Sequence, residues 1–322
     1  MKAICQYAYG SPNVLQLRDV DKPAVEEDGV LVRVMASSAN PLDWHFMRGK
    51  PYFLRLLIGL RKPRRTIAGV DVAGRVEEVG AGVTRLRPGD EVFGGHDGAF
   101  AEYVCGRERN FVPKPVNATF EQAGAVAVAG CTALQAVRDH GRVGPAQTVL
   151  INGAAGGVGT FAVQIAKAYG AEVTAVCSTR NLELVRSIGA DHVIDYTSED
   201  FTRSGTRYDA VIDTVGNRSL SAIGRALTSK GTLVLVGGGG NSLVGPMAQS
   251  LWARVRSRFT GQRMVMFVAK ITNEDLLVLK ELIEAGKVTP VIDKTYPLSE
   301  TREAVAYLEA GHARGKVAIS VG

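Results

Sequence analysis

Gly153, Gly156 and Gly159 stand directly after the apolar run 149–151 and open an apolar-periodic stretch through Phe161, Val163, Ile165 and Ala166. A strand that turns on glycine and runs into a helix brings backbone N–H groups and the positive helix end to one point, which suits a phosphate. Gly157 and Val158 complete the turn. The spacing is a GxxGxxG variant of the dinucleotide fingerprint, and a second strand-like run at 172–177 favours a dinucleotide over a purely structural glycine turn. After that run, where an NAD site places a carboxylate, come Ser178, Thr179 and Arg180. Two hydroxyls and a guanidinium suit a ribose phosphate, so NADPH is expected in preference to NADH. The structural alternative has Ser178 capping the next helix and Arg180 facing water. Thr214, after the run 210–213, and Gly237, Gly238 and Gly239, after 233–236, fall where open α/β sheets hold ligands. The glycine run is alternatively a turn.

These residues need a parallel sheet to position them, and the chain supplies its pattern. Strand-like runs at 148–151, 172–177, 192–194, 210–213 and 232–236 alternate with helical spacing at 159–169, 180–188 and 220–227, a cadence of crossover units. A further strand is expected at 264–269. The first third reads differently, as short strands at 2–7, 29–37, 70–79 and 101–104 broken by glycines, with a helix near 41–47. That pattern suits a bent, barrel-like β domain. Beyond residue 270 the sequence predicts a helix at 274–285 stopped by Gly286, a strand at 288–292, a helix at 299–309 and a final strand at 316–320 that can return to the first domain.

Length and composition fit this division. The 322 residues suggest about two domains, and 46% hydrophobic with 22% charged residues describes a folded chain with its own core. The net charge of +6 comes from 38 Lys and Arg against 32 Asp and Glu, with both signs occurring along the chain, and the densest basic stretch is Arg61, Lys62, Arg64 and Arg65. Without interleaved aromatics, nucleic acid is not the expected partner. A solvated loop is the commoner reading, an anionic surface the other. Cys5, Cys105, Cys131 and Cys177 lack CxxC spacing, so reduced thiols are expected rather than disulfides or structural zinc. No apolar stretch reaches the ~18 residues of a membrane span, and no secretory leader is recognised, which favours a cytoplasmic enzyme.

The motifs NPLDW (40–44), AGVDVAGRVEEVG (68–80), RPGDEVFG (87–94), AGCTALQAV (129–137), NGAAGGVG (152–159) and GHARGKVAI (311–319) together resemble the medium-chain dehydrogenase/reductase superfamily, in its zinc-independent quinone oxidoreductase-like branch. The resemblance spans essentially the whole chain. It implies an α/β protein with a GroES-like β-rich catalytic domain (1–124 and 271–322), a Rossmann-type dinucleotide-binding domain (125–270), substrate between the two, and a homodimer. Zinc members place Cys, His and Glu where this chain has Asn40, Val70 and Asp71, so no catalytic metal is expected. Without a Lewis acid, the implied reaction is reduction of a quinone or α,β-unsaturated carbonyl, whose delocalised anion ordered donors can stabilise. An alcohol or aldehyde oxidoreductase and a non-catalytic nucleotide sensor are the alternatives. By the same resemblance Asn40 and Tyr52 face the substrate region, or else cap a helix and pack beneath a loop. Asp43 orients or caps, Phe267 lies near the nicotinamide or in the core, and Lys316 contacts the cofactor or faces solvent.

Overall fold

Antiparallel pairing begins at the N-terminus, where β1 (Lys2–Cys5) and β2 (Gln16–Asp19) form a two-stranded ladder. β2 has no counterpart in the sequence reading, because QLRD is exposed at every position and shows no apolar alternation. The valines of β3 (Gly29–Ala39) bury their side chains with those of β4 (Asp71–Val79), β5 (Glu91–Gly95), β6 (Tyr103–Arg107) and β7 (Phe111–Pro113). Val30, Val32, Val34, Val72, Val76, Val92, Val104 and Phe111 form this core, each full burial stabilising by roughly 1.5–3 kcal/mol.

The structure, a computed structural model, describes residues 1–236 and 261–322. The chain divides into two units: Met1–Cys131 with Ile271–Gly286 and Pro290–Gly322, and Thr132–Lys270 with Lys287–Thr289.

In the first unit the large sheet runs β14-β15-β3-β4-β5-β7, with β6 also paired to β3; β14 is Ile292–Pro297 and β15 is Lys316–Ser320. β14 starts later than the apolar run 288–292 suggests. Val288 is buried, but Pro290 has no N–H to donate to a ladder. The last strand pairs antiparallel with β3, Val317 opposite Ala39, which sets Lys316 beside the residue that follows β3, Asn40. Ile4, Met47, Phe100, Val305, Val317 and Ile319 pack around this junction.

Among the described residues the second unit holds a six-stranded, wholly parallel sheet in the order β10-β9-β8-β11-β12-β13. Its strands are β8 (Thr148–Asn152), β9 (Glu172–Cys177), β10 (His192–Asp195), β11 (Tyr208–Asp213), β12 (Leu227–Val236) and β13 (Arg263–Phe267). From β8 the chain steps outward to β9 and β10, then returns to β11 on the other side. This is the Rossmann-type arrangement, with its switch point between the carboxyl ends of β8 and β11. Ahead of β8 the chain runs through an α-helix, Ala127–Leu134, continued by the π-helical Gln135–Gly141 and closed by Arg142 at φ +52°.

Candidate functional site

At the switch point β8 ends on Asn152, the chain turns through Gly153 at φ +82°, and a helix runs from Gly157 to Ala168. A Cβ on Gly153 would meet Thr214 Oγ1 at 2.4 Å, and one on Gly159 would meet the Gly153 carbonyl oxygen at 2.1 Å. Glycine is therefore required at both by packing alone. Gly156 is the helix N-cap and offers no side-chain acceptor, so the first-turn amides, Gly157 and Val158 among them, have no capping side chain. Beside this turn, Asp213 Oδ1 accepts from Val215 N (3.0 Å), Gly216 N (2.9 Å) and Asn152 Nδ2 (2.9 Å), whereas its Oδ2 is buried without a partner. Uncapped amides and an orphaned buried acceptor fit a ligand that brings both phosphates and hydroxyls. Thr214 donates its hydroxyl to Asn152 O (2.8 Å) and so braces the turn.

The end of β9 is more mixed than the sequence alone suggests. Ser178 accepts from Asn181 Nδ2, and Arg180 is exposed. Thr179 donates its hydroxyl to Asp195 Oδ2 (2.5 Å), and Thr197 donates to Asp195 Oδ1 (2.7 Å). A carboxylate thus stands beside the turn after all, supplied by β10, whose Asp195 lies in register with Cys177. The Thr179 hydroxyl holds that carboxyl below its ordinary range, so it is charged at neutral pH. Reading along the chain missed it because the two residues are neighbours only across the sheet. Tyr196 is a second residue missed: half-exposed, it donates its N–H to Cys177 O beside the same turn. Burial pushes the Cys177 thiol up to about 11 and leaves it neutral. Phe267 ends β13 half-buried against the His140 ring at 4.2 Å. Gly237, Gly238 and Gly239 lie outside the described residues.

In the first unit, the residues singled out around NPLDW form a buried polar knot. Asn40 Nδ2 donates to Ser38 O (3.1 Å) and Asp71 Oδ2 (2.9 Å), and Asn40 Oδ1 accepts from Lys316 Nζ (2.5 Å). Lys316 Nζ also reaches Asp71 Oδ2 (3.3 Å), which takes the Ser38 hydroxyl as well, while Asp71 Oδ1 accepts from Val128 N. Two expectations change here. Both amide hydrogens of Asn40 are engaged and the side chain is 1% exposed, so it positions its neighbours instead of donating to a substrate carbonyl. Lys316 is 2% exposed, and its ammonium answers the Asp71 carboxylate rather than a cofactor phosphate. The physical reason is the antiparallel β15–β3 register, which carries the lysine into the core.

The Asn40 backbone N–H donates to Asp43 Oδ2 (2.7 Å), locking Asp43 in the first turn of the Pro41–Arg48 helix. Burial pushes the Asp43 carboxyl up to about 7 against the lowering effect of that hydrogen bond. Asp43 lines a cavity of about 430 Å³ whose apolar walls include Leu42, Phe46, Leu57, Ile58 and Val70. Sequence reasoning named none of these as pocket residues. The available signal was the apolar run 56–58 inside a basic stretch. Tyr52 is not among the residues lining the cavity; the residue is 51% exposed and its ring centroid lies 4.9 Å from the Arg55 guanidinium carbon.

The donor set where zinc members of the resembled superfamily bind metal does not fit a divalent ion. Asn40 Oδ1 and Asp71 Oδ2 already face the Lys316 ammonium, and Val70 offers only an alkyl group. Among the described residues no group of three or more His, Cys, Asp or Glu side chains is arranged to hold a metal.

Comparison with known proteins places this geometry among relatives. Residues 26–116 match the alcohol dehydrogenase GroES-like domain, and residues 188–319 match a family described as zinc-binding dehydrogenase. The chain is 32% identical to the chloroplastic quinone-oxidoreductase homolog of Spinacia oleracea, over 99% of this chain and 98% of that protein. It is 35% identical to the chloroplastic NADPH-dependent alkenal/one oxidoreductase of Arabidopsis thaliana, over 99% of this chain and 79% of that protein. The solved structure of the quinone oxidoreductase from Coxiella burnetii superposes with a TM-score of 0.89 at 32% identity, covering 100% of this chain and 99% of that one.

Proposed function

The chain belongs to the medium-chain dehydrogenase/reductase superfamily, in its quinone oxidoreductase branch, and from that premise we infer that it is an NAD(P)H-dependent oxidoreductase reducing quinones or α,β-unsaturated carbonyl compounds. The observation that carries the reading is the glycine cradle at the switch point, with its uncapped helix start and orphaned Asp213 oxygen. Bound there, the reduced nicotinamide cofactor supplies the hydride. Gly153, Gly156, Gly157, Val158 and Gly159 would hold its pyrophosphate, and Asp213 Oδ2 would accept from a hydroxyl. Ser178, Thr179 and Arg180 support a preference for NADPH, with Asp195 tempering it. The acceptor is taken up in the cavity of the first unit, whose apolar walls suit a conjugated ring or chain. Asp43, which lines that cavity, would hold a proton for the reduced acceptor, and Asn40 and Lys316 would position it. We read the enzyme as zinc-independent, because an internal ammonium stands where the ligands would have to be free. We further propose a homodimer, on the family resemblance.

The test is a panel of quinones, enones and simple ketones followed by NADPH oxidation, alongside binding titrations of NADPH and NADH. Quinone- or enone-dependent oxidation is expected, with deuterium from labelled cofactor appearing on the enone carbon that receives hydride, and with tighter NADPH binding. Failure with both conjugated classes rejects the activity. Efficient turnover of unconjugated ketones alone would favour the alcohol or aldehyde reading.

A further inference from the structure

The basic cluster singled out in the sequence has no task in the reaction, and its surroundings give it one. Residues 44–70 hold seven of the 38 Lys and Arg side chains and none of the 32 Asp and Glu, so the rest of the chain carries 31 against 32. The whole positive excess of the protein sits in this one stretch. Among the described residues, the same stretch carries the densest group of exposed large apolar side chains: Tyr52, Phe53, Leu56, Leu57 and Leu60, with Leu56, Leu57 and Leu60 at 67%, 73% and 67% exposure.

These side chains stand on an ordered base. Tyr9 donates its hydroxyl to Gly59 O (2.6 Å), Arg55 Nε donates to Gly49 O (3.0 Å), and Arg64 N donates to Ile58 O (2.8 Å). Arg48 pairs with Glu309 and Arg65 with Asp97, but Arg61, Lys62 and Arg64 have no carboxylate partner among the described residues. Water is a poor solvent for three neighbouring leucines, and an acidic protein face would satisfy the cations while leaving the leucines exposed. A bilayer with anionic headgroups answers both, accepting leucines at the acyl boundary and cations at the phosphates. No helix among the described residues is long and apolar enough to cross a membrane.

We propose that residues 52–65 dock the protein on the surface of an anionic lipid bilayer. Leu57, Ile58, Pro63, Arg64 and Arg65 belong both to this surface and to the lining of the cavity, so docking would set the cavity against a phase in which lipophilic molecules dissolve. The proposal does not depend on which reaction the enzyme performs.

The full-length protein is sedimented with vesicles of phosphatidylcholine alone and of phosphatidylcholine with phosphatidylserine. Two variants avoid the cavity lining: Leu56→Ser/Leu60→Ser and Arg61→Gln/Lys62→Gln. Binding is expected only to the serine-containing vesicles and should fall as salt rises from about 0.1 M to about 1 M. The charge variant should lose about thirtyfold in partitioning, at about 1 kcal/mol per basic side chain, and the leucine variant at least ~tenfold. A circular dichroism spectrum and melting temperature matching wild type would show both variants folded, and the lipid and salt dependence of the wild type tests the proposal without them. Absence of binding to phosphatidylserine vesicles overturns it, as does a folded leucine variant that binds like wild type. A leucine variant that instead splits a wild-type dimer, with no vesicle binding by either protein, assigns the patch to a second copy of the chain and also overturns the proposal.

Discussion

An ammonium buried to 2% exposure, as at Lys316, needs a counter-charge, and Asp71, itself fully buried, supplies it. Such pairs stabilise little in absolute terms, but breaking one leaves an uncompensated charge in the core. Lys316→Met should therefore cost about 3–5 kcal/mol in denaturant unfolding, and adding Asp71→Leu should recover most of it. An equally severe double variant would show that the pair is not the unit of stability. Asp43 gives a pH dependence with a definite sign. Its carboxyl titrates near 7 in the folded protein and near 4 when unfolded, so the folded state binds the proton more tightly between those values. Its contribution is present at low pH and is lost as pH rises from about 4 through about 7. His45, His96 and His140, all lowered chiefly by burial, pull the other way, so the comparison must be with Asp43→Asn. That variant should lose the fall in stability between pH 5 and 8, on the order of a few kcal/mol, measured by melting at both values. If Asp43 also donates the proton, wild-type enone turnover falls above about pH 7, and the variant is slower and flat across that range.

At the scale of elements, the turn between β8 and its helix separates packing from binding. Gly159→Ala would drive a methyl into the Gly153 carbonyl, whereas a Cβ at Gly156 meets nothing closer than that same oxygen at 3.4 Å. Gly159→Ala should then destabilise the second unit by about 1–3 kcal/mol. Gly156→Ala should melt close to wild type yet bind NADPH more weakly, because the added methyl stands where a phosphate approaches the uncapped helix start. Unchanged affinity in a folded Gly156→Ala protein would remove the cradle from the cofactor site. The glycine spacing and the preceding apolar run make this element legible in sequence. β2 and β14 are not, the first because it is exposed throughout and has only Leu17 as an apolar residue, the second because a nearby apolar run around Pro290 mimics a strand.

For the molecule as a whole, the proposed independence of zinc is the reading most open to direct measurement. Purified protein should contain no stoichiometric zinc, and chelation should leave turnover unchanged; metal that restores lost activity would contradict the internal-ammonium reading. The sequence by itself determined the Rossmann-type unit and its glycine turn, because phosphate-cradle chemistry is written in consecutive residues and alternating strands and helices repeat at short range. It also determined the family, through motifs that span the chain. Tertiary structure alone decided what Asn40, Lys316 and Asp195 do. Lys316 is 276 positions from Asn40 and meets it only because the last strand returns antiparallel to β3, and Asp195 reaches Thr179 only across a parallel register. Sequence spacing does not encode such pairings, and burial, which turns a surface-type lysine into a core cation and an ordinary aspartate into an acid titrating near neutrality, exists only once those strands have closed.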